Sequence, residues 1–316
     1  MSFDADALAD RRHLKRRLFF WRSGAIVAAA LALVAFSAVN GGPGFNRNQI
    51  ARVEITGIIT DDRELQDLLE DLRDNPAIKA VILAIDSPGG TTTGSEALYE
   101  SVRKVSEKKP VVAVLGTVAA SGGYIAALSA DHVVARGNTL TGSIGVLFQW
   151  AQLSGLMEKI GVDVNSVKSA PLKAEPDPFH KPSPEALAVT RDLVASSYDW
   201  FLGLVAERRK LDPATARKLG DGRVYTGFQA VRNGLVDEIG GESQAVAWLA
   251  EAHQLDPKLP VETWEPKWPE DGFGLFGAKA LGEAFASGVV ALAGKTLQTK
   301  TLTLDGLTSV WQAEPR

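Results

Sequence analysis

From residue 52 onward, short apolar runs alternate with longer segments whose apolar positions recur at helical spacing. Arg52 to Ile59 has a strand pattern, and Asp61 to Asp74 brings Leu65, Leu68, Leu69 and Leu72 to one helical face. Ala77 to Ile85 is a largely apolar strand that runs into Asp86-Ser87-Pro88-Gly89-Gly90, followed by a helical stretch from Thr92 to Glu107. Val111 to Leu115, bounded by Lys-Lys-Pro and Gly116, reads as a buried strand, and the Ala-rich Ile125 to Ala130 as a helix. His132 to Ala135 and Ile144 to Trp150 are further strand candidates. Pro184 to Lys210 reads as one long helix, and Gly222 to Asp237 as strand, helix, strand. Strands separated by helices of this length predict βαβ units, an α/β fold and a mainly parallel sheet. No internal repeat is visible, so the chain is read as carrying one catalytic unit.

The two ends differ from this core. Arg11, Arg12, Lys15, Arg16 and Arg17 precede Leu18 to Val39, which is apolar apart from Arg22 and a few small residues. Counted from Leu18, with Arg22 snorkelling at the interface, the stretch reaches spanning length. The basic flank predicts a cytoplasmic N-terminus and an external remainder. A cleaved signal peptide ending at Ala35-Phe36-Ser37 is the alternative. The expected organisation is a cytoplasmic basic segment (1–17), a transmembrane anchor (18–39), a Gly- and Asn-rich linker (40–48), a catalytic domain (49–255) and a C-terminal extension (256–316). In that extension, Ala278 to Leu297 is Ala-rich and mildly amphipathic, suited to packing or a subunit contact.

Composition narrows the chemistry. The 316 residues, 45% hydrophobic and 23% charged, suffice for a full core, and a net charge of −4 gives no reason to expect nucleic acid. There is no Cys, which removes disulfides, thiolate catalysis and Cys-based metal sites. The four histidines lack metal-ligand spacing, so no metal and no other cofactor is expected.

Two turns carry candidate chemistry. Ser121 stands in Gly116-Thr117-Val118-Ala119-Ala120-Ser121-Gly122-Gly123-Tyr124, between a strand and a helix, where free backbone N–H groups can stabilise an oxyanion. An N-capping serine is the plainer reading of the same turn. Ser87-Pro88-Gly89-Gly90 lies one βαβ unit earlier, so both turns fall at the carboxyl edge of neighbouring strands. A serine nucleophile needs a base. His132 starts the next strand candidate and is carried away from Ser121, His180 lies in a Pro-rich loop, and Ser166 to Pro184 offers Lys168 and Lys173. A lysine serves as base when desolvation or positive neighbours favour its neutral amine. Lys173 sits among Ala170, Pro171, Leu172 and Ala174, an apolar local setting.

Taken together, Ser87-Pro88-Gly89-Gly90, Ala120-Ser121-Gly122-Gly123-Tyr124, Leu140-Thr141-Gly142-Ser143-Ile144-Gly145 and Leu172-Lys173-Ala174-Glu175-Pro176-Asp177-Pro178-Phe179 resemble the signal peptide peptidase A, or protease IV, family in its short form. The resemblance runs from about Arg52 to Gly241. It implies a Clp-protease/crotonase-like superhelix of βαβ units, with Ser121 as nucleophile, Lys173 as general base and Ser143 orienting the lysine amine. The N–H groups of Gly90 and Gly122 would form the oxyanion hole. It further implies hydrophobic peptide substrates, including signal peptides, a homo-oligomeric ring with sites shared between subunits, and a single-pass inner-membrane protein whose catalytic domain faces the periplasm. A crotonase-like acyl-thioester enzyme and a non-catalytic peptide-binding scaffold are the competing readings.

Overall fold

A computed structural model describes residues 19–29, 48–266 and 308–310. The chain divides into two compact units, Met1–Asn48 and Gln49–Arg316. In the first, residues 19–29 form a helix (α1) with Phe19, Phe20, Trp21, Ile26 and Val27 exposed. The rest of the expected anchor lies outside the described residues, as do the basic segment 1–17, most of the linker and Ala278 to Leu297. Among the described residues, no helix is long and apolar enough to cross a membrane.

The second unit begins with three strand–helix steps: β1 Gln49–Ile59, α2 Arg63–Asp74, β2 Ile78–Thr91, α3 Thr92–Ser106, β3 Val111–Ala120 and α4 Gly122–Leu128. The strands β4 His132–Ala135 and β5 Leu140–Gly142 follow, then α5 Ser154–Ile160 and the long α6 Pro184–Arg209. The chain continues through α7 Pro213–Leu219, β6 Val224–Thr226, α8 Gly227–Arg232, β7 Glu238–Ile239, α9 Glu242–His253 and β8 Val261–Trp264. A last short strand, β9, is Thr308–Val310. Helix starts are set by side chains that satisfy free N–H groups. Asp62 accepts from Leu65 N at 3.0 Å, and Ser183, with Pro184 next to it, accepts from Ala186 N at 3.0 Å.

The sheet runs in the order β6-β5-β3-β2-β1-β8, with β4 alongside β3 and β7 alongside β4. Every pairing among β1, β2, β3, β4, β5, β7 and β8 is parallel, while β5–β6 and β2–β9 are antiparallel. Helices cover both faces, so the central strands read as unbroken apolar runs rather than alternating ones. On one face Leu69, Leu72, Val102, Ile125, Leu128, Phe201 and Val205 pack against Val53, Leu83, Ile85 and Leu115. On the other, Ala245 and Leu249 of α9 close over Ile50, Ile82, Val112 and Val134. The mixed α/β architecture agrees with the alternation along the chain.

Several boundaries differ from expectation. β2 does not stop at Ile85: it runs on through Ser87-Pro88-Gly89-Gly90 to Thr91, with register shifts as it passes. β3 likewise extends through Gly116 to Ala120, because its edge is shared in two stages. Val112–Leu115 pairs with β4, and Val118–Ala120 pairs with β5. Ile144 to Trp150 is not a regular strand. The chain leaves the sheet at Gly142 and Ser143, both with positive φ, and the run instead lines an apolar groove of about 690 Å³ with Leu187, Val194 and Tyr198 of α6. Leu235 and Val236 are also not strand residues, since both N–H groups close the end of α8 on Ala230 O.

Candidate active site

Ser121 is the residue between β3 and α4, and it is 1% exposed. Its backbone holds φ 56° and ψ −119°, a shape that side chains rarely adopt. Three bonds fix it: Ser121 N donates to Gly142 O at 2.8 Å, and Ser121 O accepts from Tyr124 N and Ile125 N, each at 2.9 Å. The small residues around it leave space for neighbouring backbone. A Cβ on Gly122 would overlap Ser95 Oγ and stand 3.0 Å from Gly90 N, and one on Gly123 would stand 2.6 Å from Ser87 O. Tyr124 is fully buried, and its hydroxyl donates to Leu235 O at 2.8 Å, so it anchors α4 rather than facing a ligand.

Gly90 lies on β2 at the point where β3 has just separated from it. Ser87↔Ala119 is the last pairing of those two strands. A side chain on Gly90 would overlap the Ile59 carbonyl of β1, so only glycine fits. Ser87 braces the stretch, donating its hydroxyl to Gly57 O at 2.7 Å and accepting from Gly89 N at 3.1 Å. Ser143 arrives from the other side. Gly142 pairs with Ala120, so Ser143 follows β5 as Ser121 follows β3. Its N–H donates to Arg223 O at 2.9 Å, φ is 49°, and its side chain has no hydrogen-bond partner among the described residues. The two Gly-rich stretches and Ser143 thus meet at the carboxyl ends of three neighbouring strands.

The lysines do not join them. Lys173 stands on an exposed turn, with Ala174 at φ 60°, and its amine has no hydrogen bond or ion pair among the described residues. Lys168, the other candidate, is engaged. Its Nζ lies 2.8 Å from Glu175 Oε1 and 3.5 Å from Asp177 Oδ2, and the bond to Glu175 raises its pKa above the ordinary lysine value. A cation held this way is a poor base. His180 is also occupied: Nδ1 lies 2.9 Å from Asp177 Oδ2 and Nε2 lies 3.0 Å from Val164 O. His132 pairs with Val112 at the far end of β3, about 30 Å of strand from Ser121. It stacks on Trp248 at 4.6 Å, between Asp237 and Glu238, and is structural.

One feature of this edge has no counterpart in the sequence reading. β9, Thr308–Val310, pairs antiparallel with β2 as Gly89↔Val310, Gly90↔Ser309 and Thr91↔Thr308. A strand therefore lies along the Gly89-Gly90 backbone that adjoins Gly122. Its only sequence signal is two β-branched residues, Thr308 and Val310, just after Gly306. Among the described residues, no group of three or more His, Asp and Glu side chains is arranged to hold a metal ion.

Comparison with known proteins adds three relatives. The profile of peptidase family S49 matches residues 103–256, a range that contains Ser121, Ser143 and Lys173. "Putative protease slr0021" of Synechocystis sp. is 37% identical over 226 residues, covering 71% of this chain and 81% of that protein. "Putative signal peptide peptidase SppA" of Enterococcus faecium is 35% identical over 233 residues, covering 69% and 68%. "Protease 4" of Haemophilus influenzae is 34% identical over 234 residues, covering 71% of this chain but 38% of that longer protein. Among solved structures, the ClpP1 N165D mutant from Listeria monocytogenes overlaps 60% of this chain and 91% of its own, with a TM-score of 0.40 and 19% identity.

Proposed function

This chain belongs to peptidase family S49, the family of signal peptide peptidase A and protease IV, and is a serine peptidase; on that premise we propose that Ser121 is its nucleophile and Lys173 its general base. The observation that carries the reading is the antiparallel strand on Gly89–Thr91 beside Gly122. A peptide laid there takes main-chain bonds from β2 and brings a carbonyl to Ser121. The Ser121 hydroxyl attacks that carbonyl while its proton passes to the Lys173 amine. The oxyanion accepts from Gly90 N and Gly122 N, which approach each other across the gap that a Cβ on Gly122 would fill. Collapse returns the proton from Lys173 to the departing amine and leaves an acyl-enzyme, which a Lys173-activated water hydrolyses. Ser143, whose hydroxyl has no partner among the described residues, holds the lysine amine.

In this reading the base comes from a neighbouring copy, within a closed ring of Clp-protease/crotonase-like subunits. The unpartnered amine of Lys173 supports it, as do the exposed apolar residues of α5 and of the same loop: Leu156, Ile160, Val162, Val167 and Leu172. Docking against another copy would cover them and exclude water from the amine. The apolar stretch from Leu18 to Val39, behind its basic flank, anchors the chain in the inner membrane with the catalytic unit on the periplasmic side. Substrates are then signal peptides and other hydrophobic peptides.

The test uses the full chain in detergent, incubated with a synthetic signal peptide and, separately, with a fluorophosphonate probe. Cleavage and labelling of the native chain, both lost in Ser121→Ala, are expected. A folded Ser121→Ala chain that still cleaves the peptide overturns the assignment.

A further inference from the structure

The loop that carries Lys173 has no backbone ladder to shape it. Residues 161–182 contain neither helix nor strand, so isolated backbone bonds, such as Lys173 N to Ala170 O at 3.1 Å, and side-chain contacts do that work. Lys168 reaches across to Glu175 at 2.8 Å and to Asp177 at 3.5 Å, closing the segment 168–175 with Lys173 near its tip. Asp177 Oδ1 accepts from the N–H groups of Phe179 and His180, each at 2.8 Å, and its carboxylate also holds the His180 ring. His180 O in turn accepts from Gln152 Nε2 at 3.0 Å, tying the loop to the residues before α5.

We propose that Lys168 is a positioning residue for Lys173, occupying Glu175 and Asp177 so that neither carboxylate pairs with the Lys173 amine. This rests on the reading of Lys173 as base. Glu175 is two residues from Lys173 and Asp177 four, on a turn folded back at Ala174. Left without Lys168, Glu175 would be free to bind the Lys173 ammonium, and Asp177, still held by His180, would add an uncompensated charge beside it; both hold the amine protonated, which disables a base. Lys168 is suited to the task because its side chain and both carboxylates are largely shielded, at 20%, 16% and 16% exposure. Glu175 keeps a second buried oxygen, Oε2, without a partner among the described residues. The remaining titratable groups of the loop are His180, bound to Asp177, and Asp163 and Lys181, which have no ion pair among the described residues. The bond to Glu175 raises the Lys168 pKa, while Asp177 is lowered, against its burial, by the His180 ring and the N–H groups of His180 and Phe179.

The experiment is the pH profile of kcat/KM for peptide cleavage by the full chain in detergent. In Lys168→Met the acid limb moves to higher pH by about one unit or more, so activity at neutral pH falls about tenfold while the alkaline plateau recovers. Lys168→Arg keeps the native limb. Lys168→Met combined with Glu175→Gln and Asp177→Asn removes the competing charges and returns the limb to its native place. A limb unmoved in Lys168→Met, or activity lost equally at every pH in both the single and the triple variant, overturns the proposal. Lys173→Ala separates the two levels. If it retains activity, the reading of the base fails; if it is inactive while the Lys168→Met limb is unmoved, only the pairing role fails.

Discussion

The sheet edge that carries Ser121 and the loop that carries Lys173 are built by opposite means. Ser121, Gly90 and Ser143 are placed where neighbouring strands of one sheet end, by registers such as Ser87↔Ala119 and Ala120↔Gly142. Their surroundings are buried, and the close approaches leave no room for side chains at Gly90 or Gly122. Lys173 stands on an exposed turn shaped by ion pairs, beside apolar residues that face solvent in a single chain. The first region is complete within one copy. The second is exposed, and in the function proposed above it acts only where another copy meets it.

The largest expected effects test whether the two regions form one dyad. Ser121→Ala and Lys173→Ala should each lower peptide cleavage by about four orders of magnitude or more, with the circular dichroism of the native fold retained. Co-assembled in equal amounts, the two inactive chains should recover about a quarter of native activity, the share of random interfaces that join an intact serine to an intact lysine. No recovery from mixed oligomers would place the base within the same chain.

Gly122→Ala probes the rigid region alone. Its methyl group would press on Ser95 Oγ and on Gly90 N, disturbing one of the two proposed oxyanion donors. Peptide cleavage should fall by about a hundredfold to a thousandfold. Near-native rates in a folded Gly122→Ala chain would remove that N–H from the mechanism.

The smallest effect concerns β9. Removing residues 267–316 takes away the strand that covers Gly89–Thr91. A three-residue pairing of this kind is worth on the order of 1 kcal/mol, so kcat/KM for a peptide should rise about fivefold. An unchanged value would mean that substrate does not use this edge of β2.

The contrast also explains what could be read from residues alone. β1 to β3 and α2 to α4 were legible because burial on both faces demands continuous apolar runs and one-sided helices. The Ser121 turn was legible because backbone packed this closely excludes all but small residues. β2 and β3 nevertheless run through Ser87-Pro88-Gly89-Gly90 and Gly116, where local turn signals yield to pairing with β1 and β5. Ile144 to Trp150 has the composition of a strand but forms no ladder, just an isolated bridge at Leu147, since Gly142 and Ser143 turn it out of the sheet. In sequence, Lys173 stood apart from Lys168 by its apolar neighbours and by the family resemblance, not by any charge beside it. What separates them is a fold-back at Ala174 that delivers Glu175 and Asp177 to one and not the other. β9 pairs with residues more than two hundred positions away, beyond the reach of any local pattern.

The backbone of Ser121 has a consequence for how the fold is balanced. A non-glycine residue held at φ 56° and ψ −119° stores about 1–3 kcal/mol of strain. That is a sizeable fraction of the net stability of an ordinary domain, which is about 5–15 kcal/mol. Glycine would occupy the same shape without that penalty, at the loss of the hydroxyl. Ser121→Gly is therefore expected to melt at a higher temperature than the native chain while being inert. The serine stands at a position where thermodynamics alone favours another residue, so, with Ser121 as the proposed nucleophile, the turn is a standing compromise between durability and turnover.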